Sequence, residues 1–139
     1  MSLYDFAKGL VLEAGNNVRT MMKDELNIET KSSPNDLVTN VDKATENYIY
    51  DAILRNYPDH QVIGEEGHGH HIENIDGVVW VVDPIDGTLN FVHQKENFAI
   101  SIGIYRDGQP YAGLVYDVMK DVLYHAKVCL LYTSDAADE

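Results

Sequence analysis

The chain has 139 residues, enough for one domain that buries about two-thirds of the surface its unfolded form would expose. It carries 10 basic and 23 acidic residues, a formal charge of −13, which argues against sequence-independent binding to nucleic acid or anionic lipid and favours metal cations. No apolar run is long enough to span a bilayer and no leader pattern opens the chain, so we expect a cytoplasmic protein without membrane contact. The single cysteine, Cys129, excludes an internal disulfide.

Two helices are predicted in the first half of the chain. Apolar residues recur at helical spacing over residues 3–26, and Ser2 stands where an N-cap is expected. A short strand is predicted over residues 27–30, followed by a loop in which Pro34 disfavours helix. The second helix is predicted over residues 40–56. Its side chains expected to face the core are Ala44, Tyr48, Ile49, Ala52 and Ile53.

The second half of the chain predicts a series of strands. An apolar run marks residues 61–64, and the continuous β-branched run at residues 78–82 is typical of a strand covered on both faces. Further strands are predicted over residues 98–105, 111–116 and 122–128, with Asp107 and Gly108 forming a tight turn between the first two. Helices followed by consecutive strands indicate an α+β fold, in which two long N-terminal helices pack on one side of a mainly antiparallel sheet.

Residues 129–139 do not continue the strand pattern. Codon by codon, they can be read as the translation of a transposon-end adapter used in sequencing libraries. We therefore hypothesise that the natural sequence stops at Val128. Sequencing the genomic locus across this codon tests the hypothesis, and a native frame that continues through residues 129–139 would contradict it.

The densest chemical signal follows the β-branched strand directly and reads Asp83-Pro84-Ile85-Asp86-Gly87-Thr88-Leu89-Asn90-Phe91. Two carboxylates three residues apart, with a proline fixing the turn between them, can converge on one cation and repel each other without it. Hard oxygen donors of this kind suit Mg²⁺, which also accepts phosphate oxygens. The backbone N–H groups of Gly87 and Thr88 offer a phosphate site where a short helix could begin.

Two further acidic elements are placed to join this motif. Glu65 and Glu66 follow the strand at residues 61–64, and if the two strands are neighbours, their carboxyl ends bring Glu65 beside Asp83 and Asp86. Asp42 stands at the start of the second helix. Taken alone, each element also has a simpler interpretation, because helix caps and strand ends are often acidic and solvated.

Together these residues resemble the first signature of the inositol monophosphatase family, within a larger group of Mg²⁺-dependent, Li⁺-sensitive sugar and nucleotide phosphatases. The resemblance is carried by Gly64-Glu65-Glu66 and by the motif at residues 83–91, and it extends from the first helix to Val128. It implies a layered sugar-phosphatase-like fold, of which residues 1–128 would be the N-terminal, metal- and phosphate-binding half. It also implies a homodimer when the protein is full length.

The resemblance further implies a role for each residue of the predicted site. The Mg²⁺ ligands would be Glu65, Asp83, the backbone carbonyl of Ile85, and Asp86. The phosphate would be held by the backbone N–H groups of Gly87 and Thr88, with Lys31 near the metals. Asp42 and Thr88 would orient and activate the attacking water.

One expected element has no counterpart in the sequence. The family's second signature contains a Trp-Asp pair and supplies a further metal-binding Asp, but the single tryptophan here, Trp80, belongs to the first motif. We therefore expect the C-terminal α/β half to be absent and the chain alone to be nearly inactive. The predicted reaction is hydrolysis of inositol monophosphate or a similar small polyol or sugar phosphate. Fructose-1,6-bisphosphatase activity, 3′,5′-bisphosphate nucleotidase activity and a non-catalytic metal-binding regulatory role stay open as alternatives.

Overall fold

The computed structural model describes residues 2–23, 28–30, 37–64, 76–86 and 97–128, and at residues 28–30, 37–39 and 86 it describes the backbone alone. This part of the chain contains two helices and seven strands: α1 (Leu3–Met21), β1 (Ile28–Thr30), β2 (Leu37–Thr39), α2 (Asn40–Asn56), β3 (Gln61–Gly64), β4 (Val78–Asp86), β5 (Ala99–Arg106), β6 (Gln109–Asp117) and β7 (Val122–Lys127). The predicted α+β class is confirmed. Neither described helix combines the length and the apolar character needed to cross a membrane.

Helix α1 begins where the sequence predicts. The Ser2 hydroxyl accepts a hydrogen bond from the backbone N–H of Asp5 at 3.1 Å, which satisfies one of the amides left unpaired at a helix start. The predicted apolar stripe faces the core through Ala7, Leu10, Val11, Ala14 and Val18. The helix ends at Met21 and not at residue 26. Beyond it the Lys23 amide bonds to the Thr20 carbonyl at 3.2 Å, a three-residue closure typical of a helix end.

Helix α2 has the predicted bounds but a different buried face. Ile49 and Ile53 are buried as predicted, whereas Ala44 is exposed. Tyr48 and Ala52 are only partly buried. Towards its start, the helix instead buries Val41, Asp42, Thr45 and Glu46. A prediction based on hydrophobicity alone places the alanines of α2 in the core. Positions 42, 46, 49 and 53 share one side of the helix, however, so Asp42 and Glu46 are buried on the same side as Ile49 and Ile53.

Strands β3 to β7 form one sheet in sequence order. Strands β3 and β4 are parallel and every later pair is antiparallel, which confirms the predicted mainly antiparallel sheet. Asp107 and Gly108 connect β5 to β6 with φ values of 52° and 79°, the left-handed conformation that an Asp-Gly turn supplies. Strands β1 and β2 form a separate antiparallel pair, and β2 is too short for its sequence to predict it.

The two faces of the five-stranded sheet are packed differently. The face beneath the helices buries alternate residues of the central strands: Trp80, Val82, Ile100, Ile102, Ile104, Leu114 and Tyr116. Helix α1 contacts β5, β6 and β7, and helix α2 contacts β2, β3 and β4. On the opposite face Val81, Val115 and Tyr124 keep 41%, 40% and 63% of their surface exposed. Full coverage of both faces, predicted for residues 78–82, is therefore wrong at Val81 within the described residues.

Arg19 fastens the end of α1 to the sheet. Its guanidinium donates hydrogen bonds to the Tyr116 hydroxyl at 3.0 Å and to the Val118 carbonyl at 2.7 Å. The Tyr116 hydroxyl in turn donates to the Asp121 carboxylate. Burial, reinforced by this bond to Asp121, raises the pKa of the Tyr116 phenol, so the hydroxyl keeps its proton and remains a donor.

An aromatic cluster lies where the chain enters β3. The His60 ring stacks on Tyr57 with centroids 4.5 Å apart, and its Nδ1 accepts a hydrogen bond from the Trp80 indole N–H at 2.9 Å. Phe6 of α1 meets the rings of Tyr57 and Trp80 edge-on, at 5.2 and 6.2 Å. Burial lowers the pKa of His60. The neutral ring suits this position because Nδ1 can accept a hydrogen bond only when it carries no proton.

Candidate metal and phosphate site

The carboxyl ends of β3 and β4 lie side by side at one edge of the sheet. Because the strands are parallel, Gly64, the last residue of β3, pairs with Val82 of β4. In the sequence Glu65 follows the first of these residues and Asp83 follows the second. The prediction that Glu65 lies beside Asp83 requires β3 and β4 to be neighbours, and they are. Glu65 itself lies outside the described residues.

Strand β4 continues past Asp83 through a β-bulge. Asp83 pairs with Ser101 of β5, and Asp86 pairs with Ala99. Between these two pairs β4 advances by three residues and β5 by two, so β4 contains one extra residue. The extra residue falls in the segment that contains Pro84, which cannot donate a ladder hydrogen bond and is suited to a bulge. A bulged strand thus replaces the turn that the sequence predicts at Pro84.

The bulge determines which positions share a face of the sheet. In a regular strand, positions 83 and 86 fall on opposite faces, because the faces alternate at every residue. Their partners Ser101 and Ala99 are two residues apart on β5, so the bulge brings both positions to one face. That face is turned away from the helices, since Ile100 and Ile102 of the same strand are buried beneath the helices. Asp83 is partly buried there.

Ile85 lies inside the bulge with its side chain in the hydrophobic core. Only 2% of its surface is exposed. Because the side chain is fully used in packing, the main chain is the only part of this residue that can contribute to a polar site. This position is compatible with the carbonyl ligand that the family resemblance implies, and that role stays a prediction.

Helix α2 brings two acidic side chains to the inner side of the sheet. Asp42 in its first turn and Glu46 one turn later each expose only 1% of their surface. Buried carboxylates are unfavourable unless they are paired, hydrogen-bonded or bound to a cation. The simpler interpretation of Asp42 as a solvated acid is therefore excluded.

Two residues of this region, Glu46 and Gly64, are not predicted from the sequence. The Glu46 carboxylate lies directly against the backbone of Gly64. The sequence pattern does point to Glu46, because an acidic residue on the apolar side of a helix is unusual. Gly64 belongs to the motif that carries the family resemblance, but the sequence does not indicate its contact with Glu46, because a glycine at the end of a short strand also suits an ordinary turn.

Several predicted site residues lie beyond what the structure describes. These are Lys31, Glu65, Gly87 and Thr88, and for Asp86 only the backbone is described. Within the described ranges, no three His, Cys, Asp or Glu side chains come close enough to hold a metal ion. The described oxygen donors are the carboxylates of Asp42, Glu46 and Asp83 and the carbonyl of Ile85. Hard oxygen donors are those that Mg²⁺ prefers, so the donor set fits this ion in kind.

Comparison with known protein families accounts for this arrangement. Residues 1–130 match the model of the inositol monophosphatase family. The chain belongs to the inositol monophosphatase family. The resemblance inferred from the two acidic motifs is thereby confirmed, and the roles of the individual residues stay predictions.

Individual inositol monophosphatases resemble the chain over part of their length. The inositol-1-monophosphatase of Bacillus subtilis (strain 168) is 55% identical over 122 residues, which cover 88% of this chain and 46% of that protein. The crystal structure of inositol monophosphatase-II from Staphylococcus aureus MSSA476 has 68% sequence identity and a TM-score of 0.81, and covers 92% of this chain and 46% of its own. A structure of IMPase/NADP phosphatase complexed with Mg²⁺ and phosphate has 32% identity and a TM-score of 0.82, and the match covers 88% of this chain and 46% of that one. The chain thus spans about half the length of the curated relatives it matches.

Proposed function

We propose that this chain is the N-terminal half of a Mg²⁺-dependent phosphomonoesterase that hydrolyses inositol 1-phosphate or a similar small polyol or sugar phosphate. The observation that supports this most is the acidic edge of the sheet, where the parallel ends of β3 and β4 meet beside the bulge between Asp83 and Asp86. Family membership supports the same conclusion. A phosphate monoester is anionic, so an acidic site needs a bound cation to accept it.

In this proposal the residues divide the work between binding and proton transfer. The backbone amides of Gly87 and Thr88, with Lys31 nearby, hold the phosphate oxygens. When bound, Mg²⁺ supplies positive charge that neutralises and orients the phosphate. Asp42 and the Thr88 hydroxyl orient a water and take its proton as the water oxygen bonds to phosphorus. The phosphorus–oxygen ester bond opposite breaks, and the proton taken from the water passes through solvent to the leaving oxygen, so that the products are the alcohol and inorganic phosphate.

Close relatives support two substrate classes. Crystal structures of SaIMPase-II, with 63% and 67% sequence identity to this chain, contain inositol monophosphate and 2′AMP respectively. Inositol monophosphate is the first candidate because relatives named inositol monophosphatase predominate, and a nucleoside monophosphate is the second. Both are phosphate monoesters, so the same edge of the sheet would serve either one.

Phosphate release by the full-length gene product tests the proposal. The panel contains inositol 1-phosphate, 2′-AMP, fructose 1,6-bisphosphate and 3′,5′-bisphosphate nucleotide, each with Mg²⁺ or with EDTA. We expect release that requires Mg²⁺ and is fastest with inositol 1-phosphate. Asp83→Asn should abolish it, whereas Asp51→Asn, at an exposed position of α2, should not. Equal release in EDTA, or full activity of Asp83→Asn, would contradict the proposed metal site.

The proposal includes the setting in which the full-length protein works. We expect a cytoplasmic homodimer without nucleic-acid or membrane partners, and the formal charge of −13 supports the last point because nucleic acids and anionic lipids repel an acidic surface. Sedimentation equilibrium measures the assembly state directly. A monomer at micromolar concentration would contradict the homodimer.

We also propose that residues 129–139 are not native. The family match ends at residue 130, which supports a change of origin close to Val128. These residues lie outside the described part of the chain. Sequencing the genomic locus across codon 128 decides the question.

A further inference from the structure

The Glu46 carboxylate packs against the backbone of Gly64, the last residue of β3, beside the proposed metal site. A Cβ atom placed on Gly64 would lie 2.4 Å from both Cδ and Oε2 of Glu46 and 2.8 Å from its Oε1. Non-bonded atoms do not approach this closely, so the contact requires a residue without a side chain. Glycine at this position therefore allows close approach of the carboxylate.

The Glu46 side chain is buried, so it cannot avoid this contact by turning out into solvent. The residue is 1% exposed and is among the largest fully buried side chains of the described chain. Its helix is held against the sheet by Ile49 and Ile53, which are both fully buried. In a close-packed interior a displacement at one atom is passed to its neighbours. The position of Glu46 therefore determines the path of the backbone at Gly64.

That backbone leads directly into the proposed ligand set. Gly64 is followed by Glu65, and its strand partner Val82 is followed by Asp83. Ligands must be held to within about 0.5 Å for a cation site to keep its affinity. Assuming the proposed function, we propose that Glu46 is a positioning residue: its carboxylate fixes the end of β3 at Gly64, next to Val82, and the Mg²⁺ affinity of the proposed site depends on this contact.

A double-mutant cycle that leaves the net charge unchanged tests this contact. Gly64→Ala introduces the clash, Glu46→Asp shortens the acid by one methylene, and the double variant combines the new methyl group with the space it needs. Mg²⁺ affinity of the full-length gene product is measured by isothermal titration calorimetry. We expect Gly64→Ala to weaken binding at least 10-fold and Glu46→Asp to weaken it about 3-fold. The double variant should return to within about 3-fold of the parent.

Two control variants distinguish failure of the proposed function from failure of the inference about Glu46. Gly9→Ala is the matched glycine substitution, since a Cβ at Gly9 on α1 meets nothing within 4 Å, and it should leave Mg²⁺ affinity unchanged. Asp83→Asn reports on the site itself. If the parent does not bind Mg²⁺, or Asp83→Asn binds it equally well, the proposed function fails. If the parent binds Mg²⁺ and Asp83→Asn does not, the cycle tests Glu46 alone.

Rescue of Mg²⁺ affinity in the double variant is the result that supports a positioning role. Unchanged affinity in Gly64→Ala, or losses in the two single variants that simply add in the double variant, would overturn it. Thermal melts in EDTA are recorded for all four proteins, so that lost folding is recognised. If either single variant is unfolded, the double variant must regain both folding and Mg²⁺ affinity, and failure to do so also overturns the inference.

Discussion

The two faces of the sheet are made by the same strands but differ in what covers them. On the helix side Ile102 and Leu114 are 2% and 1% exposed, whereas Val115, the residue next to Leu114, is 40% exposed on the other side. The proposed site draws on both: Asp42 and Glu46 belong to the helix side, and Asp83 belongs to the open side. The acids proposed for the site are therefore divided between the two faces of the sheet.

The largest expected effect concerns the 139-residue chain by itself. Because it spans about half the length of its relatives and its Asp83 side is uncovered in the described residues, we expect activity on inositol 1-phosphate several orders of magnitude below that of the full-length protein. We also expect polydisperse light scattering, because exposed apolar strand surface favours association. Turnover near about 1 per second from a monodisperse sample would contradict this expectation.

The next effect compares stability on the two faces. Ile102→Ala should lower the free energy of unfolding by about 2–5 kcal/mol, because it leaves a cavity beneath the helices. Val115→Ala on the open face should cost less than about 1 kcal/mol. Urea unfolding of the 139-residue chain, at a concentration at which sedimentation shows a monomer, measures both values. Equal losses would mean that the open face is covered in solution.

The proposed role of Asp42, on the helix side of the sheet, in activating water is tested by substitution. In the full-length protein, Asp42→Asn should reduce kcat by a factor on the order of 10² or more while KM changes little, as expected for lost proton transfer. Thr88→Ala should have a similar effect. Steady-state kinetics separate the two constants. If only KM rises, the residues bind the substrate and do not activate water.

The open side is tested through the dependence of stability on Mg²⁺. Millimolar Mg²⁺ should raise the melting temperature of the full-length protein by several degrees, since a ligand present at 100 times its Kd contributes about 2.7 kcal/mol. Asp86→Asn should lose most of this shift, and Asp51→Asn should retain it. An equal shift in the parent and in Asp86→Asn would remove Asp86 from the metal site.

The smallest effect concerns His60 on the helix side. Burial lowers the pKa of this residue below the ordinary value of 6.5, so the folded state favours the neutral ring. Its contribution to stability is therefore fully present above about pH 6.5 and is lost as the pH falls through the lower pKa of the folded state. Urea unfolding at pH 7.5 and 5.5 measures this loss, and the free energy of unfolding should fall less between the two pH values in His60→Gln than in the parent. Identical pH dependence in both proteins would show that His60 is not the group responsible.

Most of the fold is accessible from local sequence patterns. Helix α2 has its predicted bounds, and the Asp107-Gly108 turn lies where a residue pair suited to positive φ stands between two apolar runs. The errors occur where tertiary contacts override local preference. Ala44 is exposed although it is apolar, because the helix turns its acidic stripe inward. The three-residue strand β2 is defined only by its pairing with β1.

The candidate site is predictable in chemistry but not in geometry. The motif at residues 83–91 identifies acids suited to Mg²⁺, and the same residues carry the family resemblance. The bulge at Pro84 is not evident in the sequence, because proline at this place suits a turn equally well. The Glu46 contact to Gly64 depends on how a helix crosses a strand, and no local pattern encodes that crossing.

The bond from Arg19 to Tyr116 has a consequence for the order in which a newly made chain folds. The two residues are 97 positions apart, so α1 leaves the ribosome long before the strand it packs on. At about 5–20 residues per second, roughly 5–20 seconds pass between the synthesis of Arg19 and that of the strand residue it bonds to. We expect docking of α1 to be a late event, and proteolysis of nascent chains arrested before and after β6 should show protection of α1 only in the longer ones. The N-terminal helix is synthesised first, yet it would complete the layer last.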